Sequence, residues 1–109
     1  MTKLEIIRIR LFNLSDSNQV TVLFQQFKDK LNKAHDQNIL IALLKNENVE
    51  NDWSIHLASL SDSANKEVAN LAILLSETFR TIAMVSRDVW QPILLKGINS
   101  NLQIKPLAV

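Results

Sequence analysis

Two histidines occur in this 109-residue chain, and one of them, His56, sits inside the apolar stretch DWSIHLASL. A neutral imidazole steadied by a hydroxyl or carboxylate can take a proton from a substrate. An arginine nearby can hold the resulting oxyanion, or a carboxylate, through its planar fork of donors. Arg8 and Arg10, which alternate with isoleucines near the start of the chain, supply two such forks. We therefore take His56, Arg8 and Arg10 as candidate catalytic residues and Ser54, Asp88, Trp90 and Phe12 as candidate substrate contacts. The plainer reading of His56 weighs against this chemistry. A histidine among apolar residues is more often hydrogen-bonded and simply packed than reactive.

Composition excludes several other chemistries. The chain has no cysteine, which removes disulfides, thiolate metal sites and cysteine nucleophiles. With one glycine it cannot form a glycine-rich phosphate cradle. His35 and its neighbour Asp36 fall at a predicted helix end, where a charged imidazole complements the helix dipole. No further ligands are spaced to join them, so no metal and no cofactor is expected. A formal net charge of +1 gives no field that would attract nucleic acid or an anionic membrane. Lys28, Lys30 and Lys33 read as the wet face of a helix rather than a binding stripe. Met1 to Leu14 mixes charged and apolar residues and lacks the unbroken centre of a secretory signal. Leu71 to Val85 is too short for a bilayer and is interrupted by Ser76, Glu77 and Arg80. With 47% hydrophobic and 21% charged residues, we expect a globular, soluble, cytoplasmic protein.

The elements that must position the candidate residues follow from periodicity. Lys3 to Phe12 alternates as a strand: Glu5, Ile7, Ile9 and Leu11 share one face, and Leu4, Ile6, Arg8, Arg10 and Phe12 the other. A helix to about His35 follows, with Asp16 as its cap; Val20, Leu23, Phe24, Phe27, Leu31 and Ala34 lie at offsets 0, 3, 4, 7, 11 and 14. Ile39 to Lys45 reads as a second strand, and the asparagine-rich Asn46 to Asn51 as a hairpin loop into a third, Asp52 to Leu60. The second helix, about Ala64 to Ile82, repeats the first helix's offsets through Val68, Leu71, Ala72, Leu75, Phe79 and Ile82. Met84 to Leu95 reads as a fourth strand, ended or bulged by Pro92, which lacks the ladder donor. Gly97 then turns the chain into an apolar tail.

This order, βαββαβ, predicts an α+β, ferredoxin-like domain: a four-stranded antiparallel sheet with both helices on one face. The domain spans residues 1–95, and residues 96–109 form a C-terminal tail that packs on the domain or on a partner. On the first strand the isoleucine set Ile7 and Ile9 meets the helices, leaving Arg8 and Arg10 on the open face. On the third strand either set could face the helices, but Trp53, Ile55 and Leu57 are the better apolar set. Ser54, His56 and Ala58 then join the arginines. On the fourth, Val85, Val89 and Ile93 suit the helices, which sends Ser86, Asp88 and Trp90 outward. Arg87 spoils this assignment, and a bulge would reverse it. Trp53 and Trp90 are most simply packing anchors.

With these residues placed, LEIIRIRLF, DWSIHLASL and AMVSRDVW resemble the dimeric α/β-barrel superfamily, and within it the antibiotic-biosynthesis-monooxygenase-like family. The resemblance covers Lys3 to Trp90 and is one of layout and strand character. It implies a homodimer in which two open sheet faces meet as a barrel. Some such barrels oxidise polyphenols with molecular oxygen and no cofactor, and others degrade haem with an asparagine and a histidine around the pocket. Asn13 lies at the right sort of strand end, but the second helix has no histidine, so haem degradation is not expected.

Three readings of function stand side by side. The first is a homodimeric barrel that binds a small apolar or aromatic molecule. The second is a cofactor-independent monooxygenase acting on a phenolic or quinol-like substrate, with His56, Arg8 or Arg10 assisting deprotonation. The third is a non-catalytic interaction module with a filled barrel. A ligand-sized cavity beside His56 favours the first two.

Overall fold

The computed structural model describes residues 3–33 and 38–93. Strand β1 is Leu4–Leu11, helix α1 is Ser17–Lys33, β2 is Ile39–Lys45, β3 is Asp52–Ser59, helix α2 is Asn65–Phe79 and β4 is Ala83–Trp90. The four strands form one antiparallel sheet in the order β2-β3-β1-β4, the ferredoxin-like arrangement. Strand β2 therefore lies at one edge, β4 at the other, and β1 and β3 are central.

Alternation on β1 decides what lies where. Glu5, Ile7, Ile9 and Leu11 are buried, whereas Arg8 and Arg10 between them are exposed. Opposite Ile7 and Ile9 stand Ile55 and Trp53 on β3 and Arg87 and Val85 on β4. Val20 and Phe27 of α1 and Val68, Ala72, Leu75 and Phe79 of α2 join the same buried cluster, so both helices cover this one face. Full burial of each large aliphatic side chain here is worth roughly 1.5–3 kcal/mol. Ile41 and Leu43 of β2 pack against the cluster only in part, because that strand is at the edge.

Both strand-to-helix junctions are built alike. Asn13 and Ser61 are extended, and each leads into a single 3-10 turn, Leu14–Asp16 and Asp62–Ala64. Asp16, expected as a cap, lies within its turn, and the Ser17 hydroxyl donates back to the Leu14 carbonyl at 2.7 Å. At the second junction the buried Ser59 ties three elements together. Its hydroxyl accepts from the Lys3 amide at 2.9 Å and donates to the Asn65 side chain. The β2–β3 loop closes through Asn46, whose side-chain oxygen accepts from the Asn48 and Val49 amides at 2.9 and 3.1 Å. Such a local turn is what asparagine favours.

Some boundaries move. Helix α2 ends at Phe79 rather than Ile82, and β4 ends at Trp90, before Pro92. The expected end of α1 near His35, the glycine turn at Gly97 and the tail all lie outside the described residues.

Arg87 is the larger departure from a simple apolar pattern. The β1–β4 ladder is continuous, with no bulge, so Arg87 does lie on the helix side of the sheet. Its guanidinium grips Glu5, which is 2% exposed, through Nε to Oε1 at 2.6 Å and a second nitrogen to Oε2 at 2.8 Å. The two residues are diagonal neighbours: Glu5 faces Val89, and Arg87 faces Ile7. The hydrogen bond to Glu5 holds the Arg87 pKa above its ordinary value. A buried carboxylate without its cation is costly, so Arg87→Met should destabilise the protein by about 2–3 kcal/mol. Replacing both members, as Glu5→Leu with Arg87→Met, should recover most of that loss in urea unfolding.

Candidate functional site

The face opposite the helices is a set of cross-strand rows fixed by the register. Asp52, Arg10 and Met84 form the first; Leu44, Ser54, Arg8 and Ser86 the second. Ala42, His56, Ile6 and Asp88 form the third, and Leu40, Ala58, Leu4 and Trp90 the fourth. Polar groups are thus concentrated over three rows, and the fourth is wholly apolar.

The first three rows border an open concavity of about 580 Å³. Ile6, Arg8, Arg10, Leu44, Asp52, Ser54, His56, Met84 and Ser86 contribute to its lining. The structure therefore brings together four of the seven candidate residues, His56, Arg8, Arg10 and Ser54. Asp88 and Trp90 lie on the same face but outside this lining, opposite Ile6 and Leu4 respectively. Phe12 lies just past the end of β1, 62% exposed, and also outside it.

His56 is half-buried between Ala42 and Ile6. Burial among these apolar neighbours pushes its pKa below the ordinary value of 6.5. The ring is accordingly neutral at pH 7 and has one unprotonated nitrogen. Nε2 lies 3.2 Å from the Ser54 hydroxyl, two residues away on the same strand face. This contact restrains the ring, and in the tautomer whose Nε2–H donates to Ser54 it leaves Nδ1 as the nitrogen able to take a proton.

The two open-face arginines differ. Arg10 is directly opposite Asp52 and binds it through Nε to Oδ1 at 2.7 Å and a second nitrogen to Oδ2 at 3.0 Å. That hydrogen bond lowers the Asp52 pKa and raises that of Arg10. The pair is neutral overall and both carboxylate oxygens are engaged. Arg8, by contrast, has no carboxylate partner among the described residues.

Sequence reasoning placed Ser86 on the open face without assigning it to the site, and it missed the engagement of Asp52 with Arg10. Aligning Arg10 against Asp52 requires the β1–β3 register, which parity alone does not supply. Met84 and Leu44 are apolar walls with no motif to mark them. Among the described residues, no three histidine, aspartate or glutamate side chains converge as a metal site. No helix among them is long and apolar enough to cross a membrane. On the helix side, Lys45 lies over the Trp53 ring at 5.3 Å from its centroid, and the buried Trp53 Nε1 has no acceptor among the described residues.

No protein-family model matches the chain, and no curated protein sequence does. Solved structures do match. A protein from Bacteriodes thetaiotaomicron, provisionally named as an antibiotic biosynthesis monooxygenase, aligns with a TM-score of 0.63 at 12% identity, over 88% of this chain and 95% of its own. SnoaB, a cofactor-independent oxygenase from Streptomyces nogalater, aligns with a TM-score of 0.59 at 9% identity, over 86% of this chain and 95% of its own. A de novo designed protein with a ferredoxin fold aligns with a TM-score of 0.57 at 14% identity, over 89% of this chain and 91% of its own. The chain therefore has the ferredoxin-like fold found in antibiotic-biosynthesis-monooxygenase-like proteins. A designed protein has it too, so the shared fold carries architecture and not chemistry.

The depressed His56 pKa has a thermodynamic consequence. As pH falls through about 6.5 toward the lower folded value, the unfolded chain takes up a proton that the folded site resists, and stability is lost. In urea unfolding between about pH 8 and pH 5, the wild-type protein should lose stability relative to His56→Gln as pH falls, because the variant lacks this titration. Above pH 7 the difference between the two should be independent of pH.

Proposed function

We propose that this chain is a homodimeric α/β-barrel protein that binds a small apolar or aromatic molecule between two copies of its open sheet face. The observation that carries this reading is the concavity of about 580 Å³ on a face whose apolar side chains are uncovered. Its size falls within the roughly 300–1,000 Å³ of small-molecule pockets. On this face Met84 is 67% exposed and Trp90 55%, with Leu44 also exposed. A sheet face bearing this much apolar surface favours cover. A second copy suits it electrostatically. Arg8 and Arg10 balance Asp52 and Asp88, so like faces meet without net repulsion.

A second reading is favoured by the His56–Ser54 contact. In a cofactor-independent monooxygenase, neutral His56 takes the proton of a phenolic or quinol-like hydroxyl. The phenolate so formed is the electron-rich species that molecular oxygen then oxidises. Arg8 steadies the oxyanion, and Arg10 holds Asp52 at the rim. SnoaB, with the same fold, is a cofactor-independent oxygenase, which supports the chemistry as feasible on this scaffold.

Sedimentation at micromolar concentration should give a dimer, and Met84→Glu, at an already exposed position, should weaken it at least about tenfold by placing a desolvated charge at the contact. A stable wild-type monomer would count against the barrel. In an oxygen-consumption screen with quinols, any turnover should fall about a hundredfold or more in His56→Ala with the fold intact. Turnover that survives the change removes His56 as the base, and a dimer that binds no aromatic molecule points to a filled interaction module.

A further inference from the structure

We infer that the molecule held in the concavity bears one carboxylate, and that Arg8, flanked by Ser54 and Ser86, is the group that receives it. This rests on the proposal that the concavity is a binding chamber and specifies the ligand it takes.

The argument starts from the three arginines on the strands. Arg87 is engaged by both oxygens of Glu5, and Arg10 by both oxygens of Asp52. Arg8, on the central strand β1 and at the wall of the concavity, has no carboxylate among the described residues. The acidic groups on its face make no ion pair with it, and Asp52 attracts it only through space. Asp52 is engaged by Arg10, and Asp88 stands one row away, opposite Ile6, with no ion pair to Arg8. Its two direct cross-strand neighbours are instead hydroxyls, Ser54 on β3 and Ser86 on β4. Directly opposed side chains in a sheet start about 4.5–5.5 Å apart, so both hydroxyls are within reach of one anion seated on the guanidinium.

This row supplies what a carboxylate needs. A guanidinium fork matches the two oxygens, and the Ser86 hydroxyl can donate to a remaining lone pair, joined by Ser54 in the tautomer whose His56 Nε2–H donates to Ser54 and leaves its O–H available. Near Arg8 the negative charge of Asp52 is balanced by Arg10 and the His56 ring is uncharged; Asp88 is the carboxylate on this face that opposes an anion, and it stands one row away, diagonal to Arg8. Ile6, Leu44 and Met84 beside the row accommodate an apolar body. An aryl carboxylate fits this division into a charged centre and greasy walls.

The test uses the full chain and a matched pair of probes, 1-naphthoate and its neutral analogue 1-naphthamide, titrated calorimetrically at pH 7.5. The wild-type protein should bind naphthoate about tenfold more tightly than naphthamide, a preference that added salt reduces. Arg8→Gln should abolish the preference by weakening naphthoate alone, and Arg8→Lys should retain part of it. Lys30→Gln, the same charge change on the exposed side of α1, should leave it intact. Ser86→Ala, which alters no charge, should reduce it about threefold and guards against a folding defect in the arginine variants. Naphthamide binding with no advantage for naphthoate, or an advantage that survives Arg8→Gln, overturns the inference and leaves the chamber standing. So does a weakened dimer in Arg8→Gln with both probes bound equally, which would mean that the facing copy neutralises Arg8. Failure of both probes to bind the wild-type protein overturns the chamber itself.

Discussion

The pleat of β1 is the constraint on which the rest of this structure depends. In a strand successive side chains go to opposite faces, so burying Ile7, Ile9 and Leu11 sends Ile6, Arg8 and Arg10 the other way. Because β1 is central, its choice passes by hydrogen-bonded register to β3 and β4 on either side. A slip of one residue would bury two arginines beneath the helices and expose the isoleucines to water. The apolar core and the candidate site are thus two consequences of one alternation, and neither can be shifted without the other.

Charge on this sheet is handled by pairing wherever the register permits. Glu5 and Arg87 are both on the helix side, where the Glu5 carboxylate is shut off from water while the Arg87 side chain is still 33% exposed, and each supplies the other's two hydrogen bonds. Arg10 and Asp52 do the same near the rim of the open face, where solvent screens the pair and its contribution to stability is small. The difference in surroundings makes the first pair a requirement of the fold and the second a means of setting local charge. It also makes the unpaired Arg8 informative, since the same strands show twice how an arginine is satisfied when a carboxylate is in reach.

Much of this was legible in the residues. The isoleucine alternation of β1 and the matched helical offsets led by Val20 and Val68 gave the element order and the two-faced sheet. Those signals are local, and a period of two or of 3.6 can be read along the chain. The ion pairs were not legible, because Glu5 and Arg87 are separated by almost the whole domain and meet only through the β1–β4 register. Arg87 was visible as a flaw in an apolar pattern, but a flaw does not name its partner. The site was legible in the same measure: parity brought His56, Ser54, Arg8 and Arg10 to one face, yet the concavity that separates them from Asp88, Trp90 and Phe12 is a matter of depth across four strands. The ends of α2 and β4 shifted by a few residues, as expected where the last turn and the last ladder bond are weakest.

Sharing a fold with a designed ferredoxin-like protein as well as with oxygenases means that nothing in the backbone selects a reaction. Selection must come from the open-face side chains and from how far water is kept from them. In the single chain Arg8 is exposed, and an anion on it would compete with solvent at high dielectric. Under the proposed pairing the second copy that covers Met84 and Trp90 also dries the row that contains Arg8. Each charge-assisted contact then strengthens as the local dielectric falls, and His56 is held still more firmly in its neutral form. Assembly and ligand binding would therefore be linked. A ligand carboxylate neutralises a cation that closure would otherwise desolvate alone, and closure in turn strengthens the hold on that carboxylate. On this argument the unpaired arginine is tolerable on an otherwise apolar interface because it is unpaired only until the chamber is filled.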